Sequence, residues 1–126
     1  MRPLSLFIAI PLSLIALPSR AADEDSHYVI WGLGQKSCHS YSEARSAGKA
    51  DDYRNYVTGY LTAYNAFAAD TYNIAPNMDS DAVLAWLDGH CDESKTTNLA
   101  EAMHQFVTEQ NDAREKAAPG SGARWP

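Results

Sequence analysis

Aromatic side chains recur every three or four residues through the middle of the chain. The series comprises Tyr53, Tyr56, Tyr60, Tyr64 and Phe67. Residues at this spacing share one face of an α-helix, whereas residues on one face of a strand lie two apart. The pattern predicts a helix that opens at Asp51 or Asp52, where a carboxylate accepts the free amides of the first turn. We expect it to end between residues 71 and 73 and to pack closely against a neighbouring helix at Gly59.

Two shorter segments with helical periodicity flank this helix. The first runs from about residue 38 to residue 47, and Gly48 ends it. The second begins at Asp79 or Ser80 and carries apolar residues on one side. We expect it to stop at Gly89, because glycine commonly terminates a helix.

A last amphipathic segment completes the pattern. Asn98 precedes Glu101 by three residues, in the manner of a capping box at a helix start. Apolar residues then follow one face as far as Val107, and the pattern stops beyond Asn111. The four segments together predict an all-α fold, a small four-helix bundle over residues 37–111.

The first residues of the chain have the parts of a secretion signal. Arg2 precedes an apolar run over residues 4–17, and small residues, Ser19 and Ala21, follow it. This arrangement predicts a cleavable signal peptide over residues 1–21 and hence a periplasmic or secreted protein. The apolar run is too short for a comfortable membrane span.

Less regular segments flank the predicted bundle. Residues 22–36 are expected to form an extended N-terminal segment, and its apolar run over 28–31 is either extended or packed on the domain as a strap. Gly32 and Gly34 break this run. Residues 112–126 are expected to form a flexible C-terminal tail.

The charge of the processed chain restricts its partners. Without residues 1–21 the chain has 105 residues, with eight Lys and Arg against sixteen Asp and Glu, a formal net charge of −8. This acidity argues against nucleic acid, whose binding proteins present basic surfaces. It suits a basic protein partner, while a homodimer is a further possibility. The processed chain contains no second long apolar run, so we do not expect it to insert into a membrane.

The chain has two cysteines, Cys38 and Cys91. In an exported small protein such a pair predicts a disulfide. The bridge would close a loop of 54 residues, counting both ends, and would stabilise the fold by about 4 kcal/mol in the loop-entropy relation. A zinc site is the alternative, because His39 and His90 adjoin the cysteines and two thiolates with two imidazoles form a tetrahedral set. Zinc ligands that are neighbours in the sequence, as each Cys–His pair is here, are poorly spaced to bind one metal ion. We therefore expect the disulfide and no cofactor.

The tyrosine series has two interpretations. The rings of Tyr53, Tyr56, Tyr60 and Tyr64 can form part of the core, with their hydroxyls at its edge. They can also form a protein-binding face, since tyrosine combines a large apolar body with a polar tip. The core interpretation is favoured, and the four tyrosines remain the candidate binding face.

No strong catalytic motif is present, and we expect no enzyme activity. His104 follows Glu101 by three residues, and Asp88 lies near His90. A histidine beside a carboxylate can act as a general base. No serine or cysteine nucleophile is placed with either pair, so we assign no catalytic residue.

The order of these features resembles two families of exported helical bacterial proteins. It runs from Cys38 and Tyr41 through Gly59-Tyr60 and Trp86-Leu87 to Cys91 and the last amphipathic helix. This order is similar to that of the HdeA/HdeB acid-stress chaperones and of the Rap1a/Tai type VI immunity proteins. The tyrosine-rich second helix departs from the first family. The single cysteine pair departs from the second, whose members often carry further cysteines.

Each resemblance implies a different role. The HdeA-like one implies a disulfide-linked domain, dimeric at neutral pH, that loosens in acid and exposes apolar surface to client proteins. The Rap1a/Tai-like one implies a rigid protein that binds and neutralises a secreted toxin. We expect a non-enzymatic protein-binding domain with an HdeA-like stress role, then toxin immunity as the alternative, with a small secreted enzyme third.

Overall fold

A computed structural model of the protein describes residues 22–23, 25 and 27–120. The predicted signal peptide over 1–21 and the last six residues of the predicted tail lie outside this part of the chain. The elements are α1 (Cys38–Ser46), α2 (Asp51–Phe67), α3 (Ser80–Glu93) and α4 (Leu99–Gln110), with 3-10 turns at Gly32–Gln35 and Asn111–Ala113. Among the described residues β pairing is limited to two isolated bridges. The all-α prediction with four helices is confirmed.

Side-chain caps begin three of the four helices. Ser37 Oγ accepts the backbone N–H of Ser40 at α1, and Asp79 Oδ1 accepts that of Ala82 at α3. Asn98 Oδ1 accepts the N–H of Glu101 at α4, which confirms the predicted starts of α3 and α4.

Helix α2 begins differently from the prediction. Its capping position is Ala50, which makes no side-chain cap hydrogen bond. Asp51 and Asp52 lie inside the first turn, so neither is the cap. Their negative charges still stabilise the positive end of the helix dipole.

Two predicted helix ends are wrong. Helix α2 ends at Phe67 instead of residues 71–73, and the side chain of Asn65 accepts the N–H of Ile74 at 2.9 Å, which folds the following loop back onto the helix. Helix α3 continues through Gly89 to Glu93. Glycine in a helix interior costs only about 1 kcal/mol relative to alanine, and tertiary contacts of the residues on either side of Gly89 offset that cost.

A single apolar core joins the helices. The 3-10 turn at Gly32–Gln35 packs on α2 and α4, while α3 contacts α1, α2 and α4. The largest fully buried side chains are those of Tyr41, Val57, Ile74, Val83, Leu84, Leu87, Leu99, Met103, Phe106 and Val107. Burial of this apolar surface is the main force that holds the four short helices together.

Gly59 does not serve as a helix contact point. It is exposed on α2, and a Cβ placed there would meet no atom within 4 Å. The predicted close packing at this residue is therefore wrong, and the glycine leaves α2 less stable than alanine would.

The first residues of the predicted tail are bound to the loop after α2. Glu115 N–H donates to the carbonyl of Asn73 at 2.9 Å, and Tyr72 N–H donates to the carbonyl of Glu115 at 2.8 Å. Arg114 Nε donates to the carbonyl of Asp70 at 3.1 Å. These bonds hold the end of the described chain against the α2–α3 loop.

Candidate functional site

The disulfide joins α1 to α3 inside the core. Cys38 and Cys91 are fully buried, with an S–S distance of 2.01 Å and a Cα–Cα distance of 4.9 Å. Both sulfurs are bonded, so neither is a thiolate ligand for zinc. Within the described residues no group of three or more His, Cys, Asp and Glu side chains is placed to hold a metal ion.

A polar clamp lies beside the disulfide. Asp88 on α3 accepts two hydrogen bonds from the Arg45 guanidinium, at 2.8 Å from Nε and 2.6 Å from the second nitrogen. The hydroxyl of Tyr41, a fully buried residue, donates to Asp88 Oδ1 at 2.8 Å and to the carbonyl of Leu84 at 3.0 Å. The clamp thus fixes α1 against α3 through a bidentate ion pair and a buried hydroxyl.

The clamp perturbs the titration of its members. The hydrogen bonds from Arg45 hold the pKa of Asp88 below its ordinary value, although partial burial opposes them. Burial, followed by the hydrogen bond to Asp88, raises the pKa of Tyr41. Asp88 is therefore ionised over a wider pH range than an ordinary carboxyl group, and the clamp persists into acid.

The clamp is not among the sites predicted from the sequence. A signal was present, because Tyr41 follows Cys38 by three residues and Asp88 precedes Cys91 by three. Both side chains lie one helical turn from the bridge. A disulfide between the helices therefore brings this tyrosine and this aspartate together.

The structure divides the four candidate tyrosines between the core and its margin. Tyr53 is buried, with its ring 5.5 Å from the ring of Tyr41 in an edge-to-face arrangement. Tyr56, Tyr60 and Tyr64 are half-buried and pack against the core. Burial raises the pKa of Tyr60 to about 12. Phe67, the last member of the series, is 89% exposed.

The N-terminal strap, residues 28–31, lies over the marginal tyrosines. Burial raises the pKa of Tyr56 and of Tyr60, and Tyr28 of the strap adds a smaller electrostatic contribution to both. Just after the strap, the Tyr56 hydroxyl and Ile30 Cγ2 occupy the space that a Cβ on Gly34 would take. The chain's own N-terminal segment therefore covers part of the candidate binding face.

The strap also presents apolar side chains to solvent. Tyr28 is 56% exposed, Val29 is 74% exposed and Trp31 is 79% exposed. We call the strap together with Tyr56, Tyr60 and Tyr64 the aromatic face. An exposed apolar group of this kind on a folded domain is typical of a protein-interaction surface.

The histidine–carboxylate pairs do not form a catalytic arrangement. Both oxygens of Asp88 are used by Tyr41 and Arg45, and His90 stacks on the ring of Trp86 at 4.9 Å. His104 and Glu101 are both exposed on α4. No buried base beside a nucleophile results from either pair.

Comparison of the sequence with protein-family models, with curated proteins and with solved structures gave no match. The resemblance to the HdeA/HdeB and Rap1a/Tai proteins therefore stays a prediction from residue order. As far as the structure describes the chain, no helix is both long and apolar enough to cross a bilayer. The buried disulfide is typical of a protein of an oxidising compartment.

Proposed function

We propose that the protein is an exported, non-enzymatic protein-binding domain with an HdeA-like stress-chaperone role in the periplasm. The observation that carries the proposal is the strap, which exposes Val29 and Trp31 on a folded domain. Exposed apolar side chains such as these bind apolar groups of other proteins, because contact with water is unfavourable for them. The predicted signal peptide and the buried disulfide support export.

Protonation of the carboxylates and histidines gives the proposed chaperone a way to respond to acid. The processed chain has a formal net charge of −8 at neutral pH. With its carboxylates protonated and its four histidines charged, the charge approaches about +12. Repulsion between these charges opposes the small core, and protonation of Asp88 in strong acid releases the clamp. Apolar surface is then offered to clients while the disulfide keeps α1 joined to α3.

Toxin neutralisation is the second candidate. It is favoured by the fact that Trp31 is already 79% exposed on the folded domain. A rigid partner can therefore bind the aromatic face without any opening of the bundle. The acidic chain would assist encounter with a basic toxin.

One experiment separates the two roles. The oxidised protein is recovered from the periplasm of an exporting host, and its mass shows whether residues 1–21 are removed. Its molar mass, its binding of an apolar-surface dye and its suppression of client aggregation are then measured at pH 7 and pH 2.5. Client protection with dye binding at pH 2.5 supports the chaperone role, and Trp31→Ser should weaken that protection.

A matched control is Tyr72→Ser, which removes an exposed aromatic side chain from the α2–α3 loop. This variant should protect clients as well as the wild type does. A protein that stays compact, binds no dye and protects no client at either pH contradicts the chaperone role. Retention of a secreted toxin on the folded protein at pH 7, lost in Trp31→Ser, would instead support immunity.

A further inference from the structure

Hydrogen bonds flank the strap on both sides. Before it, Asp23 Oδ1 accepts the backbone N–H of His27 at 2.7 Å. After it, the N–H of Gly34 donates to the carbonyl of Trp31 at 3.2 Å. Trp31 itself has the extended backbone angles φ −111° and ψ 149°. Because Trp31 is already extended in the free protein, the strap loses less conformational entropy at this residue when it binds a partner.

The side chains of the strap alternate as those of a β-strand do. Ile30 is half-buried and packs at Gly34, while Tyr28, at 56% exposed, is the least exposed of the other three members. Val29 and Trp31 are the most exposed members of the strap. One face of the segment is thus anchored on the domain, and the other presents apolar side chains to solvent.

The two backbone edges of the strap differ. The carbonyl of Ile30 accepts a hydrogen bond from Gln35 Nε2 at 2.6 Å, which occupies one edge. Val29 and Trp31 place their N–H groups on the opposite edge, since these groups alternate along a strand. Within the described residues neither N–H donates a hydrogen bond. The Trp31 carbonyl on that edge accepts the N–H of Gly34, so the edge offers these two free donors. An apolar extended segment with free backbone donors on one edge is a template for a further strand.

We propose that the strap binds an extended apolar segment of a partner protein by strand addition, a mode of recognition that rests on the proposed protein-binding function. Val29 and Trp31 provide both the backbone donors and the apolar contacts. Asp23, close to the strap, and the net charge of −8 favour a segment with basic flanks. The same charges disfavour a second copy of this acidic chain in that place.

The probe is a synthetic peptide with three Val-Thr pairs between two lysines at each end, titrated into the oxidised protein at pH 7. Binding should protect the amides of Val29 and Trp31 from hydrogen exchange. Val29→Pro removes one donor and suits a backbone that is already extended. It should weaken binding by about tenfold, as should Trp31→Thr. Phe67→Thr, which removes an exposed ring from α2, should leave affinity unchanged, and a peptide with a central proline should bind poorly.

Several outcomes would overturn strand addition. If Val29→Pro binds the peptide as tightly as the wild type does, the strap edge is not used. Trp31→Thr tests the same surface without introducing a proline. If the protein without peptide has twice the mass of one chain, and Val29→Pro abolishes this doubling, the strap edge binds a second copy of the chain. If Val29→Pro loses peptide binding but protects clients fully, strand addition to clients is wrong and the chaperone proposal stands. If the wild type binds the peptide but protects no client, the chaperone proposal fails and strand addition stands.

Discussion

Replacing Asp88 by asparagine removes the charge of the α1–α3 clamp while nearly preserving the shape of the side chain. Asp88 accepts one hydrogen bond from Tyr41 and two from Arg45. Hydrogen bonds to charged groups contribute about 1.5–3 kcal/mol each when shielded. The Asp88 side chain is 39% exposed and that of Arg45 is 34% exposed, so solvent screening lowers the total. We expect Asp88→Asn to lower the free energy of unfolding by about 2 kcal/mol at pH 7, or Tm by about 10 °C.

The effect should depend on pH in one direction. The pKa of Asp88 is lowered in the folded protein. Its contribution is therefore complete above the ordinary carboxyl pKa of about 4 and is lost as the pH falls through the lowered value. The difference between wild type and Asp88→Asn should be constant from about pH 7 to about pH 5 and should close in strong acid.

Urea unfolding followed by tryptophan fluorescence at pH 7, pH 5 and pH 2.5 measures this difference. Asp81→Asn is the matched control, because Asp81 pairs with Arg54 at 2.7 Å but its side chain is 78% exposed. The control should change stability by less than about 1 kcal/mol. Equal stability of Asp88→Asn and wild type at pH 7, or an undiminished difference at pH 2.5, would refute the reasoning.

Four further predictions concern the glycines and the bridge. Gly59→Ala should raise the free energy of unfolding by about 1 kcal/mol, since no atom lies within 4 Å of the new methyl group. Gly48→Ala should lower the free energy of unfolding, because Gly48 has φ +66° after α1 and alanine is strained at that angle. Gly34→Ala should cost about 1–3 kcal/mol because its Cβ overlaps the Tyr56 hydroxyl, and Tyr56→Phe in the same chain should recover part of the loss. Reduction of the disulfide should lower stability by about 4 kcal/mol. Thermal and urea unfolding check each value, and a change of opposite sign would contradict the corresponding argument.

The predicted positions of the helices were largely right because the signals are local. Helical spacing and the caps at Asp79 and Asn98 depend on residues three or four apart, and the structure confirms both caps. The same local logic failed at Gly89, where a common stop signal lies inside α3. Its neighbours Asp88 and Cys91 are tied to α1, and these long-range contacts outweigh a small local preference.

The all-α class and the four helices follow from local patterns in the sequence, and the two cysteines, taken with the predicted signal peptide, predict the pairing of Cys38 with Cys91. The packed structure alone shows that Arg45 meets Asp88, that Tyr53 is buried and that Ile30 of the strap and the Tyr56 hydroxyl both crowd Gly34. These contacts join residues far apart in the chain. Periodicity shows which side of a helix is apolar, but the packed core decides what that side contacts.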